Sequence, residues 1–210
     1  MAASKLGVYN SALLHLEERP LSALTETGNS RSALDAAWSD SLAYCLESGY
    51  WTFALKTIQL YADSAAATIG PVNKFTKPSD WVRTYRISDN ENMNGQLFDL
   101  LDEGGVWFSN VDPLYVKYIS NADDYGGDLS LWPATYAEYV ATRLAVKTCV
   151  RITGNATRLE TLLKLEKKAR QSASDKDAMN EPPAFPARGS WVSARGRGVE
   201  QPPSDRTITT

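Results

Sequence analysis

Glu17-Glu18-Arg19-Pro20-Leu21-Ser22-Ala23-Leu24 and, one long helix later, Gly49-Tyr50-Trp51-Thr52-Phe53-Ala54 are the two stretches from which the rest of the chain is read. Pro20 marks a helix end, because proline lacks an N–H and its ring clashes with the preceding turn. The segment before it, residues 2–18, reads as a helix with Leu6, Leu13, Leu14 and Leu16 as its apolar positions. After it, Thr27, Gly28, Asn29 and Ser30 form a dense set of capping residues. A second helix then runs to about Ser48, with Leu34, Trp38, Leu42 and Cys45 at three- and four-residue spacing. Gly49 is its natural stop. The apolar block Trp51, Phe53, Leu55, Ile58, Leu60 and Tyr61 is expected to continue as helix.

From Gly70 the texture changes. Gly70-Pro71 and Lys77-Pro78 punctuate it, and Trp81–Ile87 is a run of β-branched and aromatic residues that predicts a strand. Leu97–Leu101, Val106–Ser109 and Leu114–Ile119 predict three more, with Gly104-Gly105 as a hairpin turn. Leu114, Val116 and Tyr118 share one face under strict alternation. Pro133 opens a helix. On it Ala137, Val140, Ala141, Leu144, Ala145, Thr148, Cys149 and Ile152 recur with helical period. The alanines keep that face small, so a neighbouring helix can come close. Gly154 ends the helix, and Asn155 caps the next, which carries Leu159, Leu162, Leu163 and Ala169 to about Asp177.

The expected fold is therefore mainly α: a helical bundle with a small inserted antiparallel β domain and an extended C-terminal arm. Residues 1–69 and 132–179 make the two parts of the bundle, 70–131 the β domain and 180–210 the arm. The arm has too little apolar content to pack on itself, and Pro182, Pro183, Pro186, Pro202 and Pro203 break regular structure along it.

Composition bounds the function. At 210 residues the chain is long enough for a real core, and a formal net charge of −3 argues against binding nucleic acid mainly through phosphates. Cys45 and Cys149 stand far apart, which excludes a disulfide scaffold and a cysteine zinc site; both are expected as buried thiols. Residues 1–6 hold one lysine and no apolar run, so they do not read as a signal peptide. No stretch of about 18 apolar residues suggests a membrane span.

Candidates for chemistry are few. His15 is the single histidine and lies among leucines, so it is expected to be structural. Asp123, Asp124 and Asp128 lack the alternating spacing and distal glutamate of a calcium loop, so a solvated turn is expected. Glu17 and Glu18 are adjacent and point about 100° apart on a helix, which does not make an acid/base pair. Gly104-Gly105 and Gly126-Gly127 lack the strand-to-helix setting of a phosphate loop and read as turns. No catalytic, cofactor-binding or metal-ligating residue is assigned. Over 138–170, Arg143, Lys147, Arg151, Arg158, Lys164, Lys167, Lys168 and Arg170 stand against Glu138, Glu160 and Glu166, giving basic helix faces. These carry an alternative function, contact with nucleic acid.

The order of motifs has a precedent. Glu18-Arg19-Pro20 with Leu24, then Gly49, Trp51 and Phe53, then Pro78-Ser79-Asp80, Val106-Trp107-Phe108, Trp132-Pro133 and Thr153-Gly154 resemble the podophage tail tubular protein A family over residues 8–178. The resemblance implies a structural virion protein, a helical bundle with a small β domain. Copies of the chain would form a twelve-fold ring under the portal protein, in the virion tail assembled in the host cytoplasm. A downstream tail or nozzle protein would dock on the ring, and DNA would pass its channel only transiently. It implies no catalytic residues, no cofactor and no membrane. It also implies that the arm reaches along the portal. Phe185, Arg188, Trp191, Arg195 and Arg197 are the candidates for docking it there, since aromatics and arginine dominate interface energetics. Arg188 to Gly198 has no residue-by-residue counterpart in the family, so that role comes from position alone.

Overall fold

Ser4 starts the first helix: its Oγ accepts the Gly7 N–H at 3.1 Å, satisfying one of the donors that a helix start leaves unpaired. Helix α1 (Lys5–His15) buries Val8, Tyr9, Ala12 and Leu13. It ends before Pro20 is reached. Glu17 takes a left-handed φ of 56°, and the N–H groups of Glu17 and Glu18 turn back onto the Leu14 and Leu13 carbonyls at 3.0 and 2.9 Å. Those two bonds form the paired closure of a helix C-terminus, here with glutamate where glycine is usual. The structure is a computed structural model in which residues 3–63, 70–93, 97 and 99–180 are described. The arm, and with it Phe185, Arg188, Trp191, Arg195 and Arg197, lies outside the described residues.

Helix α2 (Asn29–Glu47) buries Leu34, Cys45 and Leu46. Helix α3 (Ala134–Thr153) begins with Pro133 at its N-cap and stops at Gly154, whose φ of 65° is left-handed. Helix α4 (Ala156–Asn180) is opened by the Asn155 side chain, which accepts the N–H groups of Thr157 and Arg158 at 3.0 and 3.2 Å. Helix α3 packs on each of the other three. Ala141 and Ala145 are fully buried on it, where small side chains let a neighbour approach.

The expectation of a mainly α fold is overturned. Among the described residues the four helices are matched by six strands in two three-stranded antiparallel sheets, which makes the fold α+β. The main reason lies at residues 52–60, expected as helix. Thr52–Ala54 form a single 3-10 turn, and Leu55–Leu60 are strand β1. Thr57 and Gln59 are exposed there, alternating with half-buried Lys56, Ile58 and Leu60. That is the period of a half-buried strand.

Strand β1 pairs with β6 (Leu114–Ser120) from Leu55↔Ile119 to Leu60↔Leu114, and β6 pairs on its other side with β3 (Trp81–Ser88). The second sheet has β5 (Val106–Ser109) between β2 (Asn73–Thr76) and β4 (Leu100–Glu103). Strand β2 was not anticipated, and β4 begins three residues later than expected. Gly104 and Gly105, at φ 52° and 84°, join β4 to β5. A two-residue hairpin turn of this kind needs positive φ at both positions, and glycine supplies it without steric cost.

Two cores result. Phe75 of β2, Trp107 of β5, Ile87 of β3 and Leu114, Val116 and Tyr118 of β6 fill the space between the sheets. A larger core gathers Leu13, Leu21, Leu34, Leu46, Trp51 and Trp132 with the inner faces of α3 and α4. Ile119 of β6 belongs to this second core. Strand alternation sends it to the opposite side from Val116 and Tyr118, so one strand is shared by both layers.

Candidate interaction surfaces

The motif residues are architectural. Leu21 is buried, and its peptide is clamped by Asn10, whose Oδ1 accepts the Leu21 N–H at 2.8 Å while its Nδ2 donates to the Leu21 carbonyl at 3.1 Å. Arg19 pairs with Glu26 at 3.0 Å, and the other Glu26 oxygen accepts from both the backbone and the hydroxyl of Ser22 at 2.8 Å. Those Ser22 bonds hold the Glu26 carboxyl below its ordinary pKa. The E-R-P-x-x-x-L segment is thus a pinned turn. Leu14, Glu18 and Pro20 line an open apolar hollow beside it, and Leu24 is 36% exposed.

Trp51 is buried, and its Nε1 donates to the Cys45 carbonyl at 2.8 Å, tying the chain back to the end of α2. A Cβ at Gly49 would lie 2.9 Å from the Trp51 ring, which accounts for glycine there. Trp132 donates to the Gly126 carbonyl at 3.0 Å. Tyr136 is the meeting point: Phe53, Trp51 and Trp132 approach its ring at 4.7, 4.9 and 5.0 Å. Aromatic contacts at such distances add to the stabilisation from burial. Residues from the G-x-W-x-F and Trp-Pro motifs, some eighty positions apart, therefore meet round one ring.

The candidates for chemistry have local tasks. His15 Nε2 is 2.7 Å from Glu138 Oε1, joining α1 to α3, and this hydrogen bond holds the Glu138 carboxyl below its usual range. Asp128 accepts the Ser130 N–H at 2.8 Å and caps the short turn Leu129–Leu131. Among the described residues no cluster of His, Cys, Asp and Glu is arranged to hold a metal ion. Cys45 and Cys149 are both buried and free, and burial pushes the Cys45 thiol up to about 12. That keeps it protonated and unreactive.

Half of the eight basic residues over 138–170 are committed. Arg143 pairs with Glu166 at 3.2 Å, Lys147 with Asp40 at 3.2 Å and Arg158 with Glu17, while Arg170 donates to the Ser48 carbonyl at 3.0 Å. The rest, Arg151, Lys164, Lys167 and Lys168, are exposed.

Two polar nodes were not visible as sites in the sequence. Asp80 accepts from Lys56 Nζ at 2.8 Å, Ser120 Oγ at 2.6 Å and Tyr118 OH at 3.0 Å, so it ties β1, β3 and β6 together. Burial would raise its carboxyl, but the bonds from Lys56, Ser120 and Tyr118 outweigh burial and hold it below the usual value. Lys77 lies 3.8 Å over the Trp81 ring and 5.1 Å from that of Trp107, and it pairs with Asp102 at 2.7 Å. Such a cation is held by ring quadrupoles as much as by its carboxylate. Both nodes are built from residues distant in sequence, so no local spacing announces them.

A scan against protein-family models finds no match to this chain. A search of curated proteins finds none either.

Proposed function

We propose that the chain is a subunit of a head-to-tail adaptor: a structural ring that joins a virion portal to the tail and continues the DNA exit channel. The observation that supports this best is the packing of the motifs. Leu21, Trp51, Phe53 and Trp132 come from three separate segments and belong to one helical core. These motifs, part of the ordered set that resembles the tail tubular protein A family, thus help to hold the helical core together, as an inherited scaffold would. His15, Asp128 and the Asp80 node are occupied in holding elements together, which suits a protein that works through its surfaces. In this reading the ring is made of twelve copies of the chain, the portal binds one side and a tail protein the other, and no cofactor takes part.

Large apolar side chains that stay exposed, such as Leu14, Tyr61, Val72 and Met179, lie on separate segments of the chain. Scattered residues of this kind do not force association. The free chain is therefore expected to run as a monomer or weak oligomer in sizing with light scattering. It should co-migrate with the portal protein of the same virus once the two are mixed. A stable ring formed without portal, or the absence of any complex with it, overturns the proposal.

A further inference from the structure

The C-terminal end of α2 is closed by arginines from two other elements. Arg83 of β3 donates from Nη1 to the Glu47 carbonyl at 3.2 Å, and Arg170 of α4 donates from Nη2 to the Ser48 carbonyl at 3.0 Å. A helix end leaves its last carbonyls unpaired and carries partial negative charge, so these bonds have a structural role. They use one donor of each guanidinium, which has five. Both arginines line a cleft of about 350 Å³ with Tyr44, Glu47 and Ser48. Glu47 is the one carboxylate in that lining.

The cleft continues into a ladder of cations and tyrosines. The Arg143 guanidinium lies 3.8 Å over the Tyr44 ring, and that of Arg83 lies 4.1 Å over Tyr50. Tyr50 meets Tyr85 edge-on at 5.2 Å, and Lys117 and Arg86 sit 5.4 and 5.9 Å from the Tyr85 ring. Tyr44 and Tyr50 are 41% and 43% exposed. Arg143 is neutralised by Glu166. Arg83, Arg86, Lys117 and Arg170 have no ion pair among the described residues, with Glu47 the opposing charge in the cleft. This cationic strip stands on a chain whose formal net charge is −3.

We propose that the cleft docks an acidic segment of a partner protein, with a carboxylate seated between Arg83 and Arg170 and flanking residues laid on Tyr44 and Tyr50. Three features favour a protein carboxylate over a nucleic-acid backbone. The free cations are mostly arginine, whose planar fork matches a carboxylate, and Arg83 is held in place before binding by its stacking on Tyr50. Arginine and tyrosine are enriched where protein interfaces concentrate their energy, whereas lysine is depleted. The negative net charge of the whole chain opposes the approach of a polyanion such as duplex DNA. The inference is independent of the connector reading and holds whether or not the chain sits beneath a portal.

The test uses the full chain at low salt, with fluorescence anisotropy of two labelled probes: a peptide of alternating glutamate and glycine, and a duplex DNA of mixed sequence. The peptide is expected to bind the wild type, and Arg83→Gln with Arg170→Gln to weaken it at least about tenfold. Because those changes also uncap α2, melting curves accompany them and Glu47→Gln supplies a second arm. Removing that competing carboxylate should tighten the peptide about threefold, a gain that misfolding does not produce. A wild type that does not bind the peptide, or a Glu47→Gln chain that binds it no better, overturns the proposal. DNA bound more tightly than peptide through the same arginines overturns the assignment to a protein partner.

Discussion

Tyr136 carries a hydroxyl into the middle of the helical core, and that oxygen has no hydrogen-bond partner among the described residues. Burial pushes its pKa well up, so the hydroxyl stays neutral. A buried donor without a partner costs about 1–3 kcal/mol. Tyr136→Phe keeps the ring against Trp51, Phe53 and Trp132 and removes that cost, so a melting experiment is expected to show a gain of about 1 kcal/mol. A clear loss would reveal a hidden partner for the hydroxyl. Asp80 is the opposite case, a carboxylate with three donors. Its folded pKa lies below the unfolded value of about 3.9, so its bonds stabilise the fold above that pH and are lost as pH falls through the folded pKa. Asp80→Asn is expected to cost about 2 kcal/mol at neutral pH and to flatten the fall in stability on the acid side. Urea titrations across acid pH measure both. A parallel acid limb in the two proteins would show that Asp80 does not carry the effect. Neither role was legible beforehand. Periodicity gives the face a residue lies on, but the partners of Asp80 come from positions 56, 118 and 120 and are met only after the sheet has formed.

Helix α3 was the most legible element, because its alanines, its glycine stop and its three- and four-residue spacing agree. Ala141 and Ala145 are fully buried on α3, the helix against which α1, α2 and α4 all pack. Ala141→Leu should overpack that seam and destabilise by roughly 1–3 kcal/mol, read as a lower midpoint in denaturant. An unchanged midpoint would mean that the alanine face has room to spare. Strand β1 was the least legible. Trp51 and Phe53 made the block dense enough to resemble a helix face, and the alternation of Thr57 and Gln59 with Ile58 and Leu60 was outweighed by them. What settles the matter is tertiary: six consecutive pairings with β6 cover a strand edge that a helix at these positions would leave open. Strand β2 is only Asn73–Thr76 and carries one buried side chain, Phe75, so it offered almost no pattern to read.

For the molecule as a whole, the helix ends, the hairpin at Gly104-Gly105 and the helical core were within reach of the sequence, whereas the balance between helix and sheet was not. Sheet content depends on pairing between distant strands, and short strands carry little periodic signal. Residues 1–180 form one compact unit, and both cores draw on residues within it. A chain ending at Asn180 is therefore expected to keep the melting temperature of the full chain yet fail to bind portal. Trp191→Ala in the full chain should lose much of that binding. Unchanged portal affinity after truncation would place the docking surface on the body instead.

Electron microscopy of the purified chain mixed with the portal of the same virus tests the adaptor reading most directly. The account predicts portal particles that gain a coaxial ring of added density with the portal's rotational symmetry, present with the full chain and missing with the chain ending at Asn180. Portal particles unchanged by a saturating excess of the folded full chain would contradict it.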